Sequence, residues 1–326
     1  MIFLATNNGL VTANPGGSWQ ATGRSLEGLQ ITTVIQRDGL ALAGTTDGVY
    51  RSDDGGQTWR EASRGLAQRH VRWMAFHPDI TGCAFAGTEP AAIFITRDGG
   101  EVWRECGEVA QLRDQFHWFL PYSPEAGCVR GFAFHGSRAY AAVEVGGALR
   151  SDDGGETWHL APGSDGRPEL NRPPEPLIHP DVHSIYTHPA SPDLIYAPTG
   201  GGFFRSYDGG QSWRYHYDCY VRAAWIDPAD AEHILLGPAS GVDRGGRIEE
   251  SWDGGATWQM ASDGLPVPWA RHMVERFELV GDEIAAVLSN GEVVVRPLGG
   301  GEWHQVLEAL KGVNALAARN TAPGQQ

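Results

Sequence analysis

Seven tryptophans, Trp19, Trp59, Trp103, Trp158, Trp213, Trp258 and Trp303, follow one another at intervals of 40, 44, 55, 55, 45 and 45 residues. Each closes a short segment whose fullest form is Ser52-Asp53-Asp54-Gly55-Gly56-Gln57-Thr58-Trp59. A repeat of about 40–50 residues is the size of one four-stranded propeller blade. Within each unit, short β-patterned runs alternate with turn residues. The second unit reads 31–35, 40–44, 48–52 and 58–62, and the third reads 71–76, 83–87, 93–96 and 102–105. Runs this short and this punctuated by glycine predict strands, with almost no helix anywhere.

The chain opens at what corresponds to the second strand of a unit, 2–6, while 312–317 has the pattern of a first strand lacking its blade. Pairing the two closes a ring and removes a sheet edge that would invite aggregation. The expected fold is an all-β, seven-bladed propeller over residues 1–318, with 319–326 as a flexible C-terminal tail.

The segment SxDxGxTW resembles the Asp-box, or BNR repeat, of sialidase-like propellers. Four copies, carrying Asp54, Asp153, Asp208 and Asp253, are near-complete; a fifth surrounds Asp98. The copies at Trp19 and Trp303 are degenerate, the last with Arg296 and Leu298 where Ser and Asp are expected. The chemistry suits a turn: Asp accepts backbone N–H groups, Gly supplies positive φ, Ser or Thr adds a hydroxyl, and Trp buries a large ring. One carboxylate per box falls short of the six to eight oxygens, roughly, that calcium prefers. The boxes are therefore read as structural, with no metal and no cofactor expected; His183 is the one residue marked as a metal candidate, with His179 four residues before it.

Composition narrows the partners. A net charge of −15 argues against nucleic acid and anionic membranes. No apolar run has the length of a membrane span, and no signal-peptide pattern is read at the start, so a cytoplasmic monomer is expected. Cys83, Cys106, Cys128 and Cys219 lack paired spacing and are expected to be reduced.

Two loops are longer than a blade needs, 105–128 and 160–181, and hold His117, Trp118, Phe119, Tyr122 and His179. Such loops are enriched in function. Aligned starts of the first strands place Arg72, Arg130, His183, Arg222, His272 (with Arg271 beside it), Asn314 and Thr32 around one channel mouth. A ring with three Arg and two His could hold a carboxylate or phosphate through forked hydrogen bonds. The ligand-binding set is thus Arg72, Arg130, His183, Arg222, His272, His117 and Trp118. The competing arrangement has Glu89 and Glu144 neutralising Arg72 and Arg130 in their own blades, and Asp243 neutralising Arg222.

Sialidase resemblance implies a carboxylate-binding arginine triad, yet the ArgIlePro-type motif is absent and those enzymes have six blades. Asp-box xyloglucan hydrolases join two seven-bladed propellers, whereas this chain provides one; Glu89 and Glu144 are the weak candidates for catalytic carboxylates. Photosystem II assembly factors are similar single propellers that bind a protein partner through an arginine patch. The expected function is capture of an anionic small molecule or acidic peptide segment at the channel mouth, with a glycoside hydrolase acting on carbohydrate as the alternative. On this reading, Arg130→Ala and Arg222→Ala abolish capture and leave stability nearly intact.

Overall fold

The computed structural model describes residues 1–122 and 127–318; the expected tail 319–326 lies outside them. Among them are seven antiparallel sheets of four strands. Blade 1 pairs Val313–Ala318 with Ile2–Thr6, followed by Gly9–Asn14 and Gln20–Ser25, so the last strand closes the ring on the first. Blades 2 to 7 are simple meanders whose first strands are Ile31–Arg37, Val71–Phe76, Cys128–His135, Tyr186–His188, Tyr220–Asp227 and Val274–Val280. No helix among the described residues is long and apolar enough to cross a membrane.

Second strands are sandwiched between neighbouring blades and are buried on both faces, as in Ile2–Thr6 and Ala84–Thr88. Their small residues set the spacing between blades. A Cβ added at Gly44 would lie 2.6 Å from Val71, at Gly87 2.6 Å from Val129, and at Gly237 2.5 Å from Val274. In each case the β-branched residue entering the next blade fills the space that glycine leaves.

The Asp-boxes close their turns as expected. Asp54 accepts the Ser52 hydroxyl at 2.7 Å, the Gln57 and Thr58 N–H groups at 2.9 Å, and the Thr58 hydroxyl at 2.6 Å. The same bonding recurs at Asp153, Asp208 and Asp253, and without the last hydroxyl at Asp98, where Val102 replaces Thr. Trp103 and Trp303 reach instead to the previous blade, donating to the Ala62 and Ala261 carbonyls at 2.9 and 2.8 Å. The tryptophan is thus a stitch within a box in some blades and between blades in others.

The expectation of almost no helix holds, with one short helix among the described residues. Gly107–Phe116 in the first enlarged loop is a ten-residue α-helix. Its sequence, GEVAQLRDQF, is free of internal Gly and Pro, and Val109, Leu112 and Phe116 pack on the core between blades 3 and 4.

Candidate functional site

Six first strands carry a bulge at the same place, and the segment just ahead of the blade 5 strand has a matching irregularity. The pairing skips one residue between Ile31 and Thr33, Val71 and Trp73, Val129 and Gly131, Val274 and Arg276, and skips Asn314 in blade 1 and Arg222 with its neighbour in blade 6. In blade 5, Val182 bridges Thr199 while the N–H groups of His183 and Ser184 both reach the Pro198 carbonyl. A bulge leaves its extra residue unpaired and re-aims the side chain. The seven positions are Thr32, Arg72, Arg130, His183, Arg222, Glu275 and Asn314.

The seventh is therefore Glu275, where the sequence alignment expected His272. His272 lies outside the blade 7 strand, its ring 4.9 Å from that of Trp269. The ring has three Arg, one His and a carboxylate. A sequence signal did exist: Val or Ile immediately precedes all seven ring residues, and Val274 marks Glu275 in the same way.

Three ring members join one blade to the next. Thr32 donates to the Val71 carbonyl at 2.6 Å, His183 Nδ1 to that of Val221 at 2.7 Å, and Asn314 to that of Ile31 at 2.8 Å. The charged members fall into one pair and one linked cluster. Arg72 meets Glu89 at 3.2 Å, and Arg130 bridges Glu144 at 3.1 Å and Glu275 at 3.3 Å. Arg222 binds the other oxygen of Glu275, not Asp243, and its Nε donates to the Tyr220 hydroxyl at 3.2 Å. Burial works against ionising Glu144, yet Arg130 and His183 hold it well below the ordinary carboxylate range. Arg222 and Arg130 do the same for Glu275.

A cavity of about 260 Å³ opens at this end, lined by Gln30, Thr32, Arg72, Trp73, Arg130, Glu275, Arg276, Ser289 and Asn314 among others. Glu89 and Glu144 are buried and do not line it, so three guanidinium groups face one carboxylate. Arg276 was not anticipated. Its guanidinium stacks on Trp73 at 3.8 Å and makes one long hydrogen bond, 3.4 Å, to the Thr32 carbonyl. It forms no ion pair among the described residues; burial, and then repulsion from Arg130, pull its pKa down to about 10.

The enlarged loops are knitted into the fold. His117 is the left-handed C-cap of the helix, with φ of 55°. Trp118 is buried and donates to the Gly166 carbonyl at 2.8 Å, tying one enlarged loop to the other. Neither lines the cavity. Tyr122 does reach the network, donating to Glu144 at 2.6 Å. Glu144, Asp181 and His183 bring donor atoms within 4.8 Å of one another. Both Glu144 oxygens are already engaged, by Tyr122 on one side and by Cys128 and Arg130 on the other. A metal ion there would compete with Arg130 for the same carboxylate.

Known proteins agree with this architecture. The BNR/Asp-box repeat family is matched at residues 50–61 and 149–160. The GH74 xyloglucanase from Xanthomonas campestris superposes with a TM-score of 0.64 at 16% identity, over 94% of this chain and 47% of that one. YCF48 bound to D1 peptide gives 0.61 at 16% identity, over 90% and 86%. An oligoxyloglucan-reducing end-specific xyloglucanase of Emericella nidulans is 40% identical over 67 residues, 18% of this chain and 8% of that protein. The chain thus spans less than half the length of either xyloglucanase. Fold and repeats together define a seven-bladed BNR/Asp-box propeller.

Proposed function

We propose that this propeller is a binding module whose 260 Å³ cavity takes an anionic group, borne by a small molecule or an acidic peptide segment. The observation that carries the reading is Arg276, a guanidinium without a carboxylate partner among the described residues, standing beside Arg72 and Arg130 in one cavity. An incoming carboxylate would offset the burial and the repulsion from Arg130 that lower its pKa, and would accept from its N–H groups. The YCF48 propeller bound to D1 peptide is a like fold that takes a peptide, in keeping with a peptide form of the ligand.

Calorimetric titration with citrate and with an acetylated triglutamate peptide tests it. Arg276→Met is expected to weaken binding by about tenfold or more, the loss of one charge-assisted contact. Its melting temperature is expected to change little, because Arg276 forms no ion pair among the described residues and Glu278, the carboxyl it partly offsets, is already pushed up to about 7 by burial. Absence of saturable binding by the wild type, or unchanged affinity in Arg276→Met, would overturn the proposal.

The xyloglucanase segment favours a second reading, glycoside hydrolysis. That chemistry needs one carboxyl protonated and another ionised. Glu144, held ionised, could serve only as base or nucleophile. Release of reducing ends from xyloglucan, lost in Glu144→Gln, would establish hydrolysis; no release by the wild type would eliminate it.

A further inference from the structure

The channel has a second end. First and third strands of each meander run the same way, so the downstream ends of the first strands share a face with the Asp-box turns. There the first strands of blades 4 to 7 enclose a cavity of about 190 Å³. Its wall is largely aromatic and aliphatic, including Phe132, Ile185, Tyr186, Trp225 and Phe277.

The polar groups of this basin are spent within the fold, with one exception. Thr187 donates to the Phe134 carbonyl at 2.8 Å. His188 donates from Nε2 to the Asp227 carbonyl at 2.9 Å and accepts the Ala190 N–H at Nδ1, so both ring nitrogens are engaged. Glu278 accepts no hydrogen bond and forms no ion pair among the described residues. Burial pushes its carboxyl up to about 7, and the neighbouring Arg276, already stacked on Trp73, only partly offsets this.

A lone carboxylate in an aromatic wall is complementary to a cation, which the ring faces also attract. A bare divalent ion would find one carboxylate where about six oxygens are wanted. An organic ammonium satisfies both the charge and the apolar wall. Size is consistent, since a dry cavity of about 150 Å³ holds benzene. The geometry points to a second binding site in this basin, for a small organic cation, a primary or quaternary ammonium on a single ring or short aliphatic body, with Glu278 as counter-ion.

Titration of the full chain with benzylamine and with benzyl alcohol, its neutral counterpart, tests the assignment. Benzylamine is expected to bind saturably and about tenfold or more tighter than the alcohol. Glu278→Gln should erase the difference. Glu278→Ala provides a second variant, and both should melt no lower than the wild type because each removes an unpaired carboxyl. Equal affinity for amine and alcohol, unchanged amine affinity in either folded variant, or no saturable binding to the wild type would overturn it.

Discussion

Replacing Arg130 by methionine is expected to destabilise the fold by about 3–5 kcal/mol, the cost of leaving buried charges without their partner. Arg130 is 14% exposed, and it is the cation shared by Glu144 and Glu275, which are 3% and 18% exposed. Removing it strands Glu144 and leaves Glu275 with Arg222 alone. This differs from the sequence-based expectation that loss of Arg130 leaves stability nearly intact. Urea denaturation checks the prediction. Arg130→Met combined with Glu144→Gln should recover part of the loss, because the stranded charge is then gone. Additive losses would show that the pair does not couple.

The melting temperature is expected to fall steeply as pH drops from about 5 to about 2. A carboxyl whose folded pKa lies below its unfolded value contributes stability above the unfolded pKa, and that contribution disappears as pH falls through the folded one. Hydrogen bonds from Thr257 and Ser251 bring Asp253 down to about 2. At Asp153 burial opposes the shift, but Thr157 and Ser151 prevail and the value is again about 2. Asp54, Asp98, Asp208, Glu144 and Glu275 are lowered as well. Each Asp-box therefore loosens in the same acid window as the channel network. Glu278 moves oppositely: its contribution is complete below about 4.5 and is lost as pH rises through about 7. Thermal scans from pH 8 downward check both limbs. A melting temperature unchanged between about pH 5 and pH 2.5 would contradict the acid limb.

The propeller was legible because each Asp-box closes on itself within eight residues. Ser52, Asp54, Gly56, Thr58 and Trp59 need no distant partner to define their turn, so their recurrence counts blades directly. The channel was only partly legible. A bulge has no residue type of its own, and the connection into blade 7 offers two cationic residues, Arg271 and His272, just before the true position. Chemical expectation favoured those cations over Glu275. The Val274 that precedes Glu275, packed into the space at Gly237, was the better guide. Pairing was half visible: Glu89 and Glu144 sit in the same blades as their arginines, whereas Glu275 meets Arg130 from 145 residues away. The helix 107–116 lies inside an enlarged loop, where the blade repeat offers no guide to local structure.

The clasp between Val313–Ala318 and Ile2–Thr6 also sets a timetable. A ribosome delivers about 5–20 residues per second, so Ile2–Thr6 waits roughly 15–60 s before its partner strand emerges. Until then a strand that is apolar from Ile2 to Ala5 has one side open. Ring closure is thus the meeting of two strands far apart in the chain, and the earlier one has to be shielded from other strand edges for that interval.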